Sequence, residues 1–175
     1  MNMARVRALA IVGTLAVAAT VLVVVTMTKD TQTETAAGPK CDPALVPVSL
    51  ELPDSETPIK IKVFNATNKP GVAASVATDL KYRKFDVIET GNAPAAVPNE
   101  VAILRYGPKA IANAHVLKAY FLNEAEKDFD IKREDDIVDV VIGGNYKELA
   151  THTEFNQAIG ALGRPTAPAG TCAID

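Results

Sequence analysis

An uncharged apolar run near the N-terminus constrains this chain more than any other feature of its sequence. Residues 8–27 (ALAIVGTLAVAATVLVVVTM) contain no charged side chain. A helix of that length spans roughly 30 Å, the thickness of the hydrocarbon core of a bilayer. The run has no polar face, which disfavours a buried helix of a soluble protein. The sequence therefore predicts a transmembrane helix over residues 8–27, with the membrane as a partner of the chain.

The charges that flank this run predict its orientation. Arg5 and Arg7 precede it without any acidic residue, whereas Lys29 and Asp30 follow it and cancel. Cytoplasmic flanks of membrane helices carry the excess of basic residues. We therefore expect a single-pass protein of the cell membrane, with residues 1–7 in the cytoplasm and the rest of the chain outside it.

A cleaved signal peptide is the alternative interpretation of the same run. Ala16-Val17-Ala18 has the small-x-small pattern that a signal peptidase recognises. The apolar residues Val21–Val25 continue beyond it, however, so the run does not end at the cleavage pattern. An uncleaved anchor is therefore favoured.

The composition excludes several classes of function. The chain of 175 residues has a net charge of −3, and the part beyond the run is more acidic still, because both charges before it are basic. This argues against a nucleic-acid partner, whose phosphates attract lysine and arginine. Two histidines, two cysteines and no tryptophan leave little material for metal or nucleophilic chemistry. We therefore expect no enzyme, no metal, no cofactor and no catalytic residue.

Two cysteines, Cys41 and Cys172, flank the part of the chain that is patterned to fold. In an oxidising compartment the expected state is one disulfide between them. In the loop-entropy model, closing so long a loop stabilises the fold by on the order of 5 kcal/mol. Two free thiols in tails are an alternative, and a redox pair is disfavoured because neither cysteine belongs to a CxxC motif.

The exported part divides into three regions by composition. Residues 28–58 are polar and then proline-rich, and indicate a tether followed by an edge segment; residues 163–175 are a Pro/Gly/Ala tail that contains Cys172. Between them, residues 59–162 carry the periodic patterns of a domain. The predicted strands are 59–65, 85–88, 101–106 and 137–142, and the predicted helices are 72–82, 109–125 and 151–162. The order β-α-β-β-α-β predicts an α/β (α+β) fold with one mixed sheet and the helices on one face, and leaves the strand order open.

Residues 62–87 (KVFNATNKPGVAASVATDLKYRKFDV) resemble the LytR C-terminal domain family. The family pattern is a strand that ends V-x-N-G-T/S, a Gly-x-Ala helix start and then L-x-x-x-G-F/Y-x-V. The residues that fit it are Val63, Asn65, Thr67, Gly71, Ala73, Ala77, Leu80, Phe85 and Val87, followed later by Val101, Ile103, Val140–Gly143 and Tyr146. The resemblance covers about residues 59–149.

Two residues depart from this pattern. Ala66 and Lys84 stand where the family usually has glycine, so both turns must form without glycine's conformational freedom. The resemblance implies a role in the cell envelope without an established chemistry. In this family the domain often follows a LytR-CpsA-Psr catalytic domain, for which this chain has no room; it is more similar to single-domain actinobacterial envelope-integrity proteins.

The loop between the first domain strand and the first helix is the candidate binding site. Asn65, Thr67, Asn68, Lys69 and Gly71 belong to it. Free N–H groups at a helix N-terminus and a nearby lysine attract anions, which predicts a site for a phosphate or carboxylate of a wall polymer or lipid-linked precursor. The structural alternative, which is favoured, is that Asn65 and Thr67 only satisfy turn and cap hydrogen bonds.

Other polar residues favour structural roles. His115 falls beside the inward stripe of the second helix and His152 in a polar stretch, and neither has a nucleophile and acid nearby in sequence. The acidic runs 134–136 and 124–126 lack the spacing of a calcium loop and indicate a solvated face.

The sequence therefore predicts a membrane-anchored extracytoplasmic protein that binds or scaffolds envelope components. The alternative is an accessory subunit that regulates a LytR-CpsA-Psr glycopolymer ligase by protein contact. An envelope protein partner or a homodimer formed through an exposed sheet edge is compatible with either function.

Overall fold

A computed structural model describes residues 41–54 and 56–174 of this chain, together with Met3. The predicted transmembrane helix over residues 8–27 and the first part of the predicted tether lie outside the described residues. Within the described residues, no helix combines the length and the apolar character needed to cross a bilayer. The described residues from 41 to 174 form one compact unit.

The described part of this unit contains seven strands, three α-helices and one 3-10 turn. In chain order they are β1 (Val46–Val48), β2 (Lys60–Asn65), α1 (Val72–Tyr82), β3 (Asp86–Asn92), β4 (Ala102–Tyr106), the 3-10 turn (Pro108–Ala110), α2 (Ile111–Tyr120), β5 (Glu126–Phe129), β6 (Val138–Ile142), α3 (His152–Leu162) and β7 (Thr171–Ala173).

Five of the strands form a mixed sheet with the order β3-β2-β6-β4-β5. Strand β2 runs parallel to both β3 and β6, and β4 runs antiparallel to β6 but parallel to β5. Strand β6, the last of these five strands in the chain, therefore lies in the middle of the sheet. It joins two β-α-β units, β2-α1-β3 and β4-α2-β5. The predicted mixed α/β fold is confirmed, and the charged strand β5 forms one of the two edges of the sheet.

One face of this sheet is buried against the helices. Strand residues alternate between the two faces, and the residues of β2, β6 and β4 on the inner face are Ile61, Val63, Val138, Val140, Ala102 and Leu104, each with 0% of its surface exposed. Helix α1 covers them with Val76 and Leu80, and α2 covers them with Leu117. The alternation of apolar and basic residues that predicted β2 thus reflects one buried and one solvated face.

The opposite face of the sheet carries ion pairs. Lys62 lies 2.9 Å from Glu89 on the neighbouring strand, and Arg105 lies 2.9 Å from Asp128. The guanidinium of Arg133 contacts both oxygens of Asp139, at 2.8 and 3.0 Å. Since cross-strand pairs of opposite charge stabilise a register, these residues help to keep the hydrophobic set on the inner face.

Helix α2 is shorter than predicted. The sequence pattern predicted a helix from 109 to 125, whereas α2 ends at Tyr120. Leu122 and Asn123 adopt left-handed backbone conformations, with φ of 54° and 68°. The Asn123 amide donates a 3.0 Å hydrogen bond to the carbonyl oxygen of Ala158 in α3, so a tertiary contact stabilises this early end.

The two ends of the unit meet in a second, two-stranded parallel sheet of β1 and β7. Cys41 and Cys172 form the predicted disulfide beside it, with their Cα atoms 5.7 Å apart. The predicted tail from 163 is therefore partly a strand, paired with the segment predicted to form a sheet edge. Inward-facing Val48 is only 3% exposed.

The two positions that depart from the family pattern differ in conformation. Lys84 has a φ of 68°, whereas Ala66 is absent from the described residues with positive φ. A left-handed conformation costs a residue with a Cβ atom about 1–2 kcal/mol. Lys84 therefore carries backbone strain that glycine would relieve, while the turn at Ala66 needs no glycine.

Substitution of Lys84 by glycine is expected to raise the free energy of unfolding by about 1 kcal/mol, because glycine adopts positive φ without steric cost. Lys81→Gly, at an exposed position in the last turn of α1, should instead lower it by about 1 kcal/mol. Urea denaturation followed by circular dichroism measures both. Equal destabilisation by the two substitutions would contradict the assigned backbone conformation.

Removal of the disulfide is expected to lower the free energy of unfolding by up to about 5 kcal/mol, since the bond closes a loop with a sequence separation of 131. The test compares urea denaturation of the oxidised protein with that of a Cys41→Ser, Cys172→Ser double variant. An unchanged transition midpoint would show that the bond contributes nothing to the fold.

Candidate ligand-binding cleft

A surface cleft of about 460 Å³ lies at the carboxyl ends of β2 and β6. These two strands are parallel neighbours, so the loops that follow them open at the same edge of the sheet. Residues from the loop after β2, the start of α1, the loop after β3 and the loop after β6 line this carboxyl-end cleft: Ala66, Thr67, Asn68, Lys69, Val72, Ser75, Val76, Ala96, Pro98, Gly144, Tyr146 and Lys147.

Backbone hydrogen bonds tie the three loops of the rim together. The N–H of Ala66 donates to Ile142 at the end of β6, and the carbonyl of Ala66 accepts from Val97 at 3.0 Å. The carbonyl of Val97 in turn accepts from the N–H of Gly144 at 2.8 Å. Because each loop is hydrogen-bonded to the next, the spacing of the loops around the cleft is fixed.

Glycine is required where the loop after β6 meets the loop after β3. A Cβ atom on Gly144 would overlap the carbonyl oxygen of Pro98, and one on Gly143 would overlap that of Glu100. Neither glycine has positive φ. The Gly-Gly pair thus allows the backbone of the loop after β6 to lie close to that of the loop after β3, and these two loops form part of the cleft wall.

The loop after β2 is stabilised by its own side chains. The Asn65 amide donates to the carbonyl of Lys69 at 2.8 Å, and Asn65 Oδ1 accepts from the N–H of Thr67 at 2.9 Å. The Thr67 hydroxyl accepts from the N–H of Lys69 at 3.0 Å. These turn hydrogen bonds occupy Asn65 and Thr67, as the structural alternative expected, and they present Lys69 at the cleft.

Two lysines give the cleft its charge. Lys69 and Lys147 both line it, and within the described residues neither forms an ion pair. No carboxylate is among the residues of the lining. The cleft is therefore locally cationic on a chain whose net charge is −3, a contrast that attracts anions to this edge of the sheet.

Tyr146 adds a hydrogen-bond donor to the same cleft. Its ring packs edge-on against Phe121 in the core, with the ring centroids 6.1 Å apart. Burial, and then the charge of Asp79, raise the pKa of Tyr146 to about 12. The hydroxyl is therefore protonated at neutral pH and remains a hydrogen-bond donor.

The structure divides the predicted site residues between two clefts. Thr67, Asn68 and Lys69 line the carboxyl-end cleft, whereas Asn65 and Gly71 line a smaller one on the β3 side of the same loop. Gly71 begins α1 with a φ of 82° and no side-chain cap.

Sequence reasoning missed the contributions of Ser75, Tyr146 and Lys147 to the cleft. Tyr146 fitted the family pattern, but its place depends on β6 lying beside β2. The Gly143-Gly144 pair after a buried strand was the available signal that this loop approaches another segment closely.

His115 has a structural contact. It is 3% exposed, and its Nε2 lies 3.0 Å from the carbonyl oxygen of Gly163, just after α3. Its Nδ1 is buried without a partner. Burial is the main cause that lowers the pKa of His115, with smaller contributions from the charges of Lys127 and Lys118, while the hydrogen bond to Gly163 acts in the opposite direction.

Two of the acidic residues singled out in the sequence form separate ion pairs. Asp135 lies 2.8 Å from Arg133, and Asp136 lies 3.0 Å from Lys60. Within the part of the chain that the structure describes, three or more histidine, cysteine or acidic residues nowhere group to hold a metal ion.

The sequence of this domain matches a known family. Residues 58–146, just over half of the chain, match the family described as LytR cell envelope-related transcriptional attenuator. The chain therefore belongs to this family, which confirms the resemblance found in the sequence. The match spans β2 to β6 and most of the cleft, while α3, β7 and both cysteines lie outside it.

A solved structure is similar over more of the chain. The crystal structure of the soluble domain of a conserved hypothetical secreted protein from Mycobacterium marinum is 27% identical, with a TM-score of 0.52, and the similarity covers 75% of this chain and 82% of that one. The similarity therefore extends beyond the family match. No curated protein matches the chain significantly.

The lowered pKa of His115 makes the free energy of unfolding depend on pH. Because folding lowers its pKa below 6.5, the unfolded chain binds the proton more readily. The stability from the neutral ring is present above about pH 6.5 and is lost as the pH falls below it. We expect the free energy of unfolding to fall between about pH 7 and pH 5, by at most about 1.4 kcal/mol per pH unit.

His115→Gln, whose amide can still donate to Gly163, should flatten this slope. Urea denaturation at a series of pH values measures it for both proteins. Parallel pH profiles for the variant and the unsubstituted protein would contradict the role assigned to this histidine.

Proposed function

We propose that this chain is a membrane-anchored, extracytoplasmic binding protein of the cell envelope. It holds an anionic group of a wall polymer or lipid-linked precursor in the carboxyl-end cleft and catalyses no reaction. The observation that carries this proposal is that Lys69, Lys147 and Tyr146 line one cleft whose lining contains no carboxylate.

Four observations support the placement in the envelope. The family is described as cell envelope-related, and the similar protein from Mycobacterium marinum is described as secreted. The Cys41–Cys172 disulfide is typical of an oxidising compartment. The uncharged run over residues 8–27 has the length of a membrane anchor.

The geometry of the cleft favours binding of an anion. Charge-assisted hydrogen bonds from ammonium groups to phosphate or carboxylate oxygens are about twice as strong as neutral ones. The loop after β3 and the start of α1 add an apolar wall that includes Pro98 and Val72. The cleft volume of about 460 Å³ falls within the range of small-molecule sites, roughly 300–1,000 Å³.

Packing beneath the cleft favours a headgroup or polymer over a lipid tail. Leu80, Leu104 and Leu117 fill the space between the sheet and the helices, and each is 0% exposed. A lipid chain inserted there would have to displace close-packed side chains. The ligand therefore binds at the surface through its polar part.

The chemistry of the lining favours binding without turnover. Acyl or glycosyl transfer needs a positioned base or a carboxylate pair, and the lining offers neither a histidine nor an acidic residue. A tyrosine whose pKa is raised to about 12 is a donor and a poor base at neutral pH.

Substitution of either lysine by glutamine is expected to weaken phosphate binding about 3- to 10-fold, because the amide can still donate a hydrogen bond but no longer carries a positive charge. Inorganic phosphate is titrated into the full chain, purified in detergent, and the backbone amide NMR shifts of Thr67–Lys69 are followed. Lys81→Gln, an exposed lysine at the far end of α1, is the matched control and should bind like the unsubstituted protein.

If phosphate shifts none of these amides, or if Lys69→Gln and Lys147→Gln bind as tightly as Lys81→Gln, the cleft is not an anion site. Turnover of a lipid-linked glycan or peptidoglycan substrate by the same preparation would contradict the non-catalytic part of the proposal.

A further inference from the structure

A second cleft, of about 170 Å³, lies on the other side of the loop after β2. It is bounded by the start of α1 and the end of β3, and its lining includes Asn65, Gly71, Thr90, Gly91 and Asn92. We refer to it as the β3-side cleft. Its volume is below the roughly 300 Å³ at which ligand pockets begin, so it can hold one unit of a larger ligand.

The side chains available in the β3-side cleft are polar and uncharged. The Thr90 hydroxyl and the Asn92 amide make no hydrogen bond within the described residues, whereas the Asn65 amide is used inside the loop. The lining contains no charged residue. Hydroxyl and amide groups of this kind both donate and accept, which matches the hydroxyl groups of a sugar.

The two clefts are neighbours. Gly71 lines the β3-side cleft and Val72, the next residue, lines the carboxyl-end cleft, so their walls are one residue, about 3.8 Å, apart along the backbone. Glycines at 71 and 91 leave the second cleft without side chains at these two positions. A ligand would have to pass over the start of α1 to reach both clefts.

We infer that the ligand is a phosphorylated glycan, with its phosphate between Lys69 and Lys147 and an adjoining sugar in the β3-side cleft against Thr90 and Asn92. This inference rests on the proposed function and names its ligand class. The charged cleft supplies attraction, and the uncharged cleft supplies recognition of the sugar through hydrogen bonds. An anion without a sugar leaves the β3-side cleft empty.

The experiment titrates the full chain, purified in detergent, with three probes: maltose 1-phosphate, maltose and inorganic phosphate. Maltose 1-phosphate should bind at least several-fold more tightly than either other probe. It should shift the amides of Thr90–Asn92 as well as those of Thr67–Lys69, whereas inorganic phosphate should shift only the latter.

Asn92→Ala and Thr90→Val should each weaken maltose 1-phosphate about fivefold, the loss of one hydrogen bond, and leave the affinity for inorganic phosphate unchanged. Asn99→Ala is the matched control, because Asn99 is exposed and lines neither cleft. Both test positions are exposed, and valine keeps the strand propensity of threonine.

The outcomes separate the two proposals. If inorganic phosphate binds through the lysines while Asn92→Ala and Thr90→Val leave maltose 1-phosphate unaffected, the sugar subsite is wrong and the anion site stands. Equal affinity for maltose and maltose 1-phosphate would overturn the joint site. Absence of binding by all three probes would overturn the proposed function together with this inference.

Discussion

The architecture depends on the insertion of β6 between β2 and β4. This strand hydrogen-bonds in parallel to β2 and antiparallel to β4, and it joins two β-α-β units that otherwise share no strand pairing. Its inward residues Val138, Val140 and Ile142 are each 0% exposed. Since burial of such side chains contributes roughly 1.5–3 kcal/mol each, the strand that connects the halves is also a centre of the core.

The same insertion creates the candidate site. Because β2 and β6 are parallel neighbours, the loops after them meet at one edge, where hydrogen bonds through Ala66, Val97 and Gly144 fix their spacing. Lys69 and Lys147, far apart in sequence, then line one cleft. Lys62 and Arg105, on the solvated face of the sheet, are each paired with an acid on the neighbouring strand, whereas the two lysines of the cleft form no ion pair within the described residues.

Local patterns predicted most of the elements but not their neighbours. Alternation of apolar and basic residues predicted β2, and the isolated cysteine pair predicted the disulfide. The early end of α2 follows from Asn123 contacting α3, a tertiary interaction with no local signature. For the cleft, the sequence predicted only the loop after β2. The contribution of Tyr146 depends on β6 lying beside β2, and the sequence pattern does not determine that strand order.

We propose that the carboxyl-end cleft captures an anionic envelope component. The most direct test is to purify the full chain from native membranes after crosslinking and to analyse what accompanies it, by phosphorus assay and mass spectrometry. We expect a phosphorus-containing carbohydrate with the unsubstituted protein and its loss from a Lys69→Gln, Lys147→Gln double variant. A stoichiometric ligase subunit with no bound phosphorus, retained equally by both proteins, would contradict it.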